Sequence, residues 1–216
     1  MRHRHARFRC GCPGAGDAPA VDAREIGPAR LLGSAPWVWA AGTLRVVDAY
    51  LALVSKRDTR RYAERAIPEA GVRRVVEAGR LAGSSGNRQL RRFVIVADPA
   101  LRERLAGLVY VAGNVRDASL VIAIVVSGRG PVDFDAGRAA QNMMLAAWND
   151  GVASCPNGLP DRGPVGELLG LGEGERVVIV LSFGFPHAGR DPAARTPEEW
   201  AARADRRPLE EVCERL

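Results

Sequence analysis

The sequence predicts a layered α/β or α+β domain of about 170 residues, and three observations predict it. Stretches with apolar residues at helical spacing alternate with short runs rich in β-branched residues. Three of those runs are apolar at successive positions, as expected of strands covered on both faces. Between the second and third lies a helical stretch with almost no polar surface, which must be buried on more than one side.

The chain opens differently. Residues 1–45 mix Arg, His, Gly and Pro without a helical or strand period and read as a basic, disordered arm, with the folded domain over residues 46–216. Residues 1–47 hold 7 Lys and Arg against 3 Asp and Glu, leaving 24 against 22 for the rest, so most of the formal +6 belongs to the arm. A nearly neutral body does not suit a nucleic-acid partner. The uncharged run Leu31–Leu44, 14 residues, is too short to span a bilayer, so no membrane partner and a cytoplasmic location are expected. Cys10, Cys12, Cys155 and Cys213 lack paired spacing. Reduced thiols suit them better than a site built on Cys10-Gly11-Cys12 with His3 and His5, and no metal is expected. At 47% hydrophobic and 26% charged, the chain as a whole has the profile of a soluble globular protein, which excludes disordered and fibrous classes.

Val46, Val47, Tyr50, Leu51 and Val54 share one helical face, and that segment ends in SKRDTRRY. A second helix begins at Pro68, carries Val72, Val75, Val76 and Gly79, and ends near Ala82. A polar stretch, 83–89, leads to strand FVIVA at 93–97; strands SLVIAIVVS and RVVIVLSF follow at 119–127 and 176–183. The apolar helix runs from about Phe134 to Asp150 and stops at Gly151. It carries Ala136, Ala139, Ala140, Met143 and Ala147 on one side, with Met144 and Trp148 beside them. ASCPNGLP at 153–160 reads as a tight Pro/Gly loop.

Three polar clusters are candidates for ligand contact. Arg57-Asp58-Thr59-Arg60-Arg61 gathers guanidinium groups within two helical turns, a match for phosphate oxygens or a solvated basic face. Ser84, Ser85, Asn87 and Gln89 offer side chains and backbone N–H groups to a polar heterocycle or a phosphate, or else end a helix. Pro156 and Gly158 shape a turn whose backbone can approach a ligand closely. No G-x-G-x-x-G, Walker loop, G-x-S-x-G elbow or H-E-x-x-H occurs, and His3, His5 and His187 give little support to a histidine base or a metal centre. An enzyme built on this chain needs a cofactor to carry its chemistry.

Taken in order, these clusters resemble the FMN-dependent nitroreductase family over about residues 48–213. The match rests on Lys56 through Tyr62, on Ala82 through Gln89 before a strand, and on Asp135-Ala136-Gly137-Arg138-Ala139-Ala140-Gln141-Asn142-Met143-Met144-Leu145-Ala146-Ala147 with Gly151. It continues through Cys155-Pro156-Asn157-Gly158, then Leu168, Gly170 and Leu171, then Ser182-Phe183-Gly184-Phe185-Pro186, and ends at Arg206-Arg207-Pro208-Leu209-Glu210-Glu211. The chain departs from the family at Gly83 and at Leu90-Arg91, which stand where prolines and an aromatic are usual, and at Asp58, where serine or histidine is usual. The segment from Leu101 to Ser119 is short for a helical lid, and the arm has no family counterpart.

The resemblance implies an α+β, three-layer α/β/α fold with a central mixed, largely antiparallel sheet. It implies a homodimer whose C-terminal segments embrace the partner, with FMN at the interface. Arg57, Arg61 and Arg207, with Arg206, would grip the FMN phosphate, and Asp58 and Thr59 would lie along the ribityl chain or pyrimidine edge. Ser84, Ser85 and Asn87 would reach the flavin of the other subunit. Pro156, Asn157 and Gly158 would lie along the isoalloxazine, with a backbone N–H near flavin N5. No catalytic side chain is implied. The activity implied is ping-pong transfer of hydride from NAD(P)H through flavin N5 to an electron acceptor such as a nitroaromatic or quinone. The alternatives are a member specialised for one metabolite or for flavin, like the dimethylbenzimidazole synthases, and a flavin-binding protein of low turnover.

Overall fold

The computed structural model describes residues 49–189 and 191–216. The arm expected over 1–45, with its Cys10 and Cys12, and the apolar pair Val46 and Val47 lie outside the described residues. Helices α1 (Ala49–Ser55) and α2 (Glu69–Arg80) precede strand β1 (Arg91–Ile95). Helices α3 (Pro99–Ala106) and α4 (Ala112–Arg116) lead to β2 (Leu120–Ser127), α5 (Val132–Asn149) leads to β3 (Ala153–Asn157), and α6 (Gly163–Leu168) leads to β4 (Glu175–Gly184). Helix α7 (Pro197–Ala202) follows the sheet.

The strands make one sheet in the order β1-β2-β4-β3, every neighbouring pair antiparallel. The expected mixed character reduces, among the described residues, to an isolated parallel bridge between Asp58 and Ser154. Helices cover both faces, because side chains alternate along a strand. Leu120, Ile122, Ile124 and Val126 of β2 join the core that contains Val75 of α2 and Met143 of α5, while Val121, Ala123 and Val125 face Leu105, Val115 and Val165 from α3, α4 and α6. On β4, Leu181 and Phe183 belong to the first core and Val177 to the second, although the three share one parity. The extra residue, Val178, sits at a bulge between the pairs Ile124–Ile179 and Val125–Val177 and resets the alternation.

Helix α5 buries Ala136, Ala139, Ala140, Met143, Met144, Ala147 and Trp148, as its apolar pattern predicts. Helix α2 seats against it so closely that a Cβ on Gly79 would stand 2.8 Å from Met143 Cε and 2.9 Å from Phe93 Cζ. Trp148 Nε1 donates to Ser55 Oγ at 2.9 Å, which ties the end of α1 to the last turn of α5.

Three expectations need correction, and a fourth gains detail. The first strand, expected to be covered on both faces, is the edge strand β1, and its Ile95 is 44% exposed. Tyr50, placed on the inner face of the first helix, is 59% exposed. The short run from Leu101 to Ser119, read as short for a helical lid, forms most of α3 and all of α4, packed on the second face of the sheet. The expected loop at 153–160 begins as strand β3, whose Ser154 carbonyl turns outward to the Thr59 amide at 3.0 Å. By alternation Pro156 also turns outward, where an edge strand can lack an N–H.

Candidate functional site

Helix α1 ends at Ser55 and the chain continues extended: Asp58 bridges Ser154, Tyr62 bridges Pro186, and the Ala63 amide donates to the Phe185 carbonyl at 2.7 Å. The first polar cluster is therefore brought against the outer edge of β3 at Ser154, two positions before Pro156 of the third. An extended backbone sorts residues by alternate positions rather than by helical turns. Lys56 and Asp58 form an ion pair, and Arg60 lies against the Cys155 thiol. Burial pushes that thiol up, with Arg60 opposing the shift. Arg57 turns the other way. Its Nη1 donates to the carbonyls of Val54 at 2.7 Å and Lys56 at 2.9 Å, its Nη2 donates to the Trp200 carbonyl at 2.8 Å, and the guanidinium stands 5.9 Å from the Trp200 ring centroid. Arg57 thus fastens α7 to α1, while Arg60 of the candidate anion cluster and Lys56, not assigned a ligand role from the sequence, accompany Asp58 beside β3. Arg61 is exposed.

Beneath this edge runs a buried polar network. The Tyr62 hydroxyl lies 3.0 Å from Ser182 Oγ and donates to the Ser182 carbonyl at 3.2 Å, and burial pushes it well above its ordinary value. Its ring rests on Gly184, where a Cβ would stand 2.6 Å from Tyr62 Cγ, so no larger residue fits without displacement. Ser182 Oγ donates to the Cys155 carbonyl at 3.2 Å. Asn157 Nδ2 donates to Ser182 Oγ at 3.1 Å, to the Cys155 carbonyl at 3.1 Å and to the Val180 carbonyl at 3.2 Å. The Asn157 side chain, 4% exposed, therefore braces β3 against β4, and contact with a ligand is left to the backbone. Thr59 Oγ1, Ser154 Oγ and Asn157 Oδ1 are buried without a hydrogen-bond partner. Such groups cost about 1–3 kcal/mol each unless a bound polar group satisfies them.

Sequence reasoning missed two further residues here. The Tyr110 amide donates to the Gly158 carbonyl at 3.3 Å, and its ring covers Gly158 closely enough that a Cβ there would stand 3.1 Å from Tyr110 Cδ2, yet Tyr110 is 72% exposed. Asn114 is buried with its Nδ2 3.8 Å from Cys155 Sγ. The available signal was an aromatic residue, Tyr110, next to Val111 in the short segment between Leu101 and Ser119.

The second cluster lies elsewhere. Ser84, Ser85 and Asn87 precede β1 at one edge of the sheet, and the 56–60 and 154–158 segments occupy the other. Three strand spacings, about 14 Å, separate those edges. Within the loop Gly86, Asn87 and Gln89 have φ of 58°, 53° and 54°, a left-handed conformation that costs a residue such as Gln89 about 1 kcal/mol. Arg206 and Arg207 are exposed beyond α7; Arg206 Nη1 donates to the Ala204 carbonyl at 2.7 Å, and neither is bonded to the 56–62 segment among the described residues.

A three-layer α+β fold whose sheet edge gathers cations, orphaned hydroxyls and an exposed aromatic defines, with the relatives it resembles, a class of oxidoreductase. The chain belongs to the Nitroreductase family, which it matches over residues 53–127 and 131–185. A protein of Archaeoglobus fulgidus that carries the provisional name NADH dehydrogenase/NAD(P)H nitroreductase is 28% identical over 149 residues, 64% of this chain and 86% of that one. A provisionally named nitroreductase of Desulfovibrio desulfuricans, solved in complex with FMN, superposes with a TM-score of 0.65 at 26% identity, covering 79% of this chain and 98% of its own. A nitroreductase family protein of Clostridium difficile 630 shares the fold at a TM-score of 0.64 and 21% identity, covering 78% and 98%. Among the described residues no helix is long and apolar enough to cross a membrane.

Proposed function

We propose that this chain is an FMN-dependent NAD(P)H oxidoreductase, a cytoplasmic homodimer with FMN at its interface, which passes hydride to an acceptor such as a nitroaromatic or quinone in two half-reactions. The reading rests on one relationship: the cationic segment that follows α1 meets β3 at Ser154 and Cys155, where the buried Thr59 and Ser154 hydroxyls lack partners. These residues fit FMN. Lys56 and Arg60, joined by Arg206 and Arg207 from the C-terminal segment, supply the cations that a phosphate near −2 calls for. The Thr59 and Ser154 hydroxyls suit a polyol or the edge of a polar heterocycle, and Asp58 accepts from such groups.

FMN, when bound, supplies the relay that accepts and releases hydride. The chain supplies placement. Pro156 and Gly158 present a backbone surface without bulky side chains, and the Tyr62–Ser182–Asn157 network keeps that surface from shifting. Tyr110 shields Gly158 on one side and gives a planar partner an aromatic face. Lys56 and Arg60 favour negative charge at the site. No acidic side chain is required, since water can deliver a proton to a site with exposed walls. Ser84, Ser85 and Asn87, on the far edge of the sheet, serve a flavin held mainly by a second copy, which supports the homodimer.

The absorbance spectrum of the purified protein tests the cofactor, and oxidation of NADH or NADPH with menadione or nitrofurazone tests turnover. Bound flavin with rapid turnover is the expected outcome. A colourless protein that takes up no added FMN overturns the reading, and bound flavin without turnover replaces it with a flavin-binding protein.

A further inference from the structure

The loop at 83–89 is fastened at more points than a link from a helix to an edge strand requires. Arg91 Nη2 donates to the Ala82 carbonyl and, at 3.4 Å each, to those of Gly79 and Arg80, which closes the end of α2. Ser84 Oγ accepts from the Gln89 amide at 3.0 Å, and Arg88 Nε donates to the Ser85 carbonyl at 3.3 Å while its Nη1 reaches the Arg129 carbonyl at 3.1 Å. All of these bonds are made by side chains of the loop or of its neighbour Arg91.

Asp135 differs. It stands fifty positions away in the first turn of α5, is 7% exposed, and its carboxylate accepts from the Ser85 amide at 3.0 Å and 3.3 Å. A carboxylate so buried is costly unless it is hydrogen-bonded. The bond joins the middle of an exposed loop to the most buried helix of the fold.

We propose that Asp135 is a positioning residue for the cofactor: by holding the Ser85 amide it fixes the turn in which Gly86, Asn87 and Gln89 take positive φ, and so sets where Ser84, Ser85 and Asn87 point. That these three meet a flavin rests on the function proposed above; that Asp135 sets their geometry does not.

Two measurements on the full chain test it, amide hydrogen exchange over 84–89 without FMN and FMN affinity by fluorescence quenching. Asp135→Ala is expected to speed exchange at Ser85 and to raise the FMN Kd, each by about tenfold or more. Asp135→Asn, whose amide oxygen still accepts, recovers most of both, and Asp133→Ala, one turn-mate away and exposed, changes neither. Unchanged exchange at Ser85 in Asp135→Ala overturns the proposal, as does an Asn variant as damaged as the Ala variant with losses that merely follow Tm. Should Asp135→Ala not fold, Asp135→Glu decides: it keeps the charge, displaces the oxygens by one methylene, and is expected to move both readouts in the same direction, so wild-type values overturn the proposal. A wild-type chain that takes up no FMN removes the function proposed above but leaves the exchange result standing. Altered exchange with unchanged FMN affinity overturns the cofactor role of Asp135.

Discussion

The Thr59 amide donates to the Ser154 carbonyl at 3.0 Å, and with the Asp58–Ser154 bridge this bond makes the chain beyond α1 a short edge laid against β3 at one point. Because that edge is extended, the basic cluster divides by alternate positions. Arg57 joins α7 to α1, and Lys56, Asp58 and Arg60 lie near Cys155.

Lys56→Met and Arg60→Met are each expected to raise the FMN Kd by about tenfold or more, since a charge-assisted hydrogen bond is worth roughly 1.5–3 kcal/mol. Arg57→Met is expected to lower Tm first, because its bonds run to backbone carbonyls of this chain. Fluorescence titration against thermal melting separates the two. The reverse pattern would return the phosphate to Arg57.

Gly184→Ala forces a methyl group into the Tyr62 ring and is expected to destabilise by about 1–3 kcal/mol in denaturant titration. Tyr62→Phe, which removes one buried hydroxyl from the Ser182 network, is expected to cost about 1 kcal/mol. In a Tyr62→Ala background the Gly184→Ala penalty should largely disappear; if it persists, the close approach is not its cause.

Glu175 is held at about 2, first by its paired bonds from Arg92 at 2.6 Å and 2.7 Å and then by the Gly172 amide at 3.0 Å. A depressed carboxylate contributes stability above its ordinary value of 4.5 and loses that contribution as pH falls toward about 2. The stability difference between wild type and Glu175→Gln should therefore be level above pH 5 or so and shrink below it, and high salt should reduce it throughout. A difference that grows on acidification contradicts this assignment.

Cys155 is buried and its thiol is pushed up by that burial, whereas Cys213 is exposed. Iodoacetamide is expected to label Cys213 in the native protein and Cys155 only after denaturation, as read by peptide mass spectrometry. Rapid native labelling of Cys155 would mean that the β3 edge opens readily.

Long periodic elements were legible in the sequence. The small-residue face of α5 and the β-branched runs of β2 and β4 state their burial directly, because only a covered helix or strand tolerates so little polarity. Short elements were not: α6 and α7 have 6 residues each, too few for a period to emerge. Strand β3 was hidden by Pro156 and Gly158, which signal a turn unless the strand is known to be an edge. At the site, residue types were readable and their facing was not. A basic run that follows a helix suggests continued helical turns, and the bond from Thr59 to Ser154, with the bridges at Asp58 and Tyr62, shows that the chain has changed to a period of two.

The placement of the two proposed half-sites on opposite edges of one sheet carries a genetic prediction. In the proposed dimer, a chain defective at Lys56 and a chain defective at Asn87 each form lifeless pairs with themselves. Mixed, they yield hybrids in which one site draws both of its halves from sound sequence, about a quarter of all sites if pairing is random. Two broken alleles would then rescue each other, and one gene would behave in a complementation cross as though it were two.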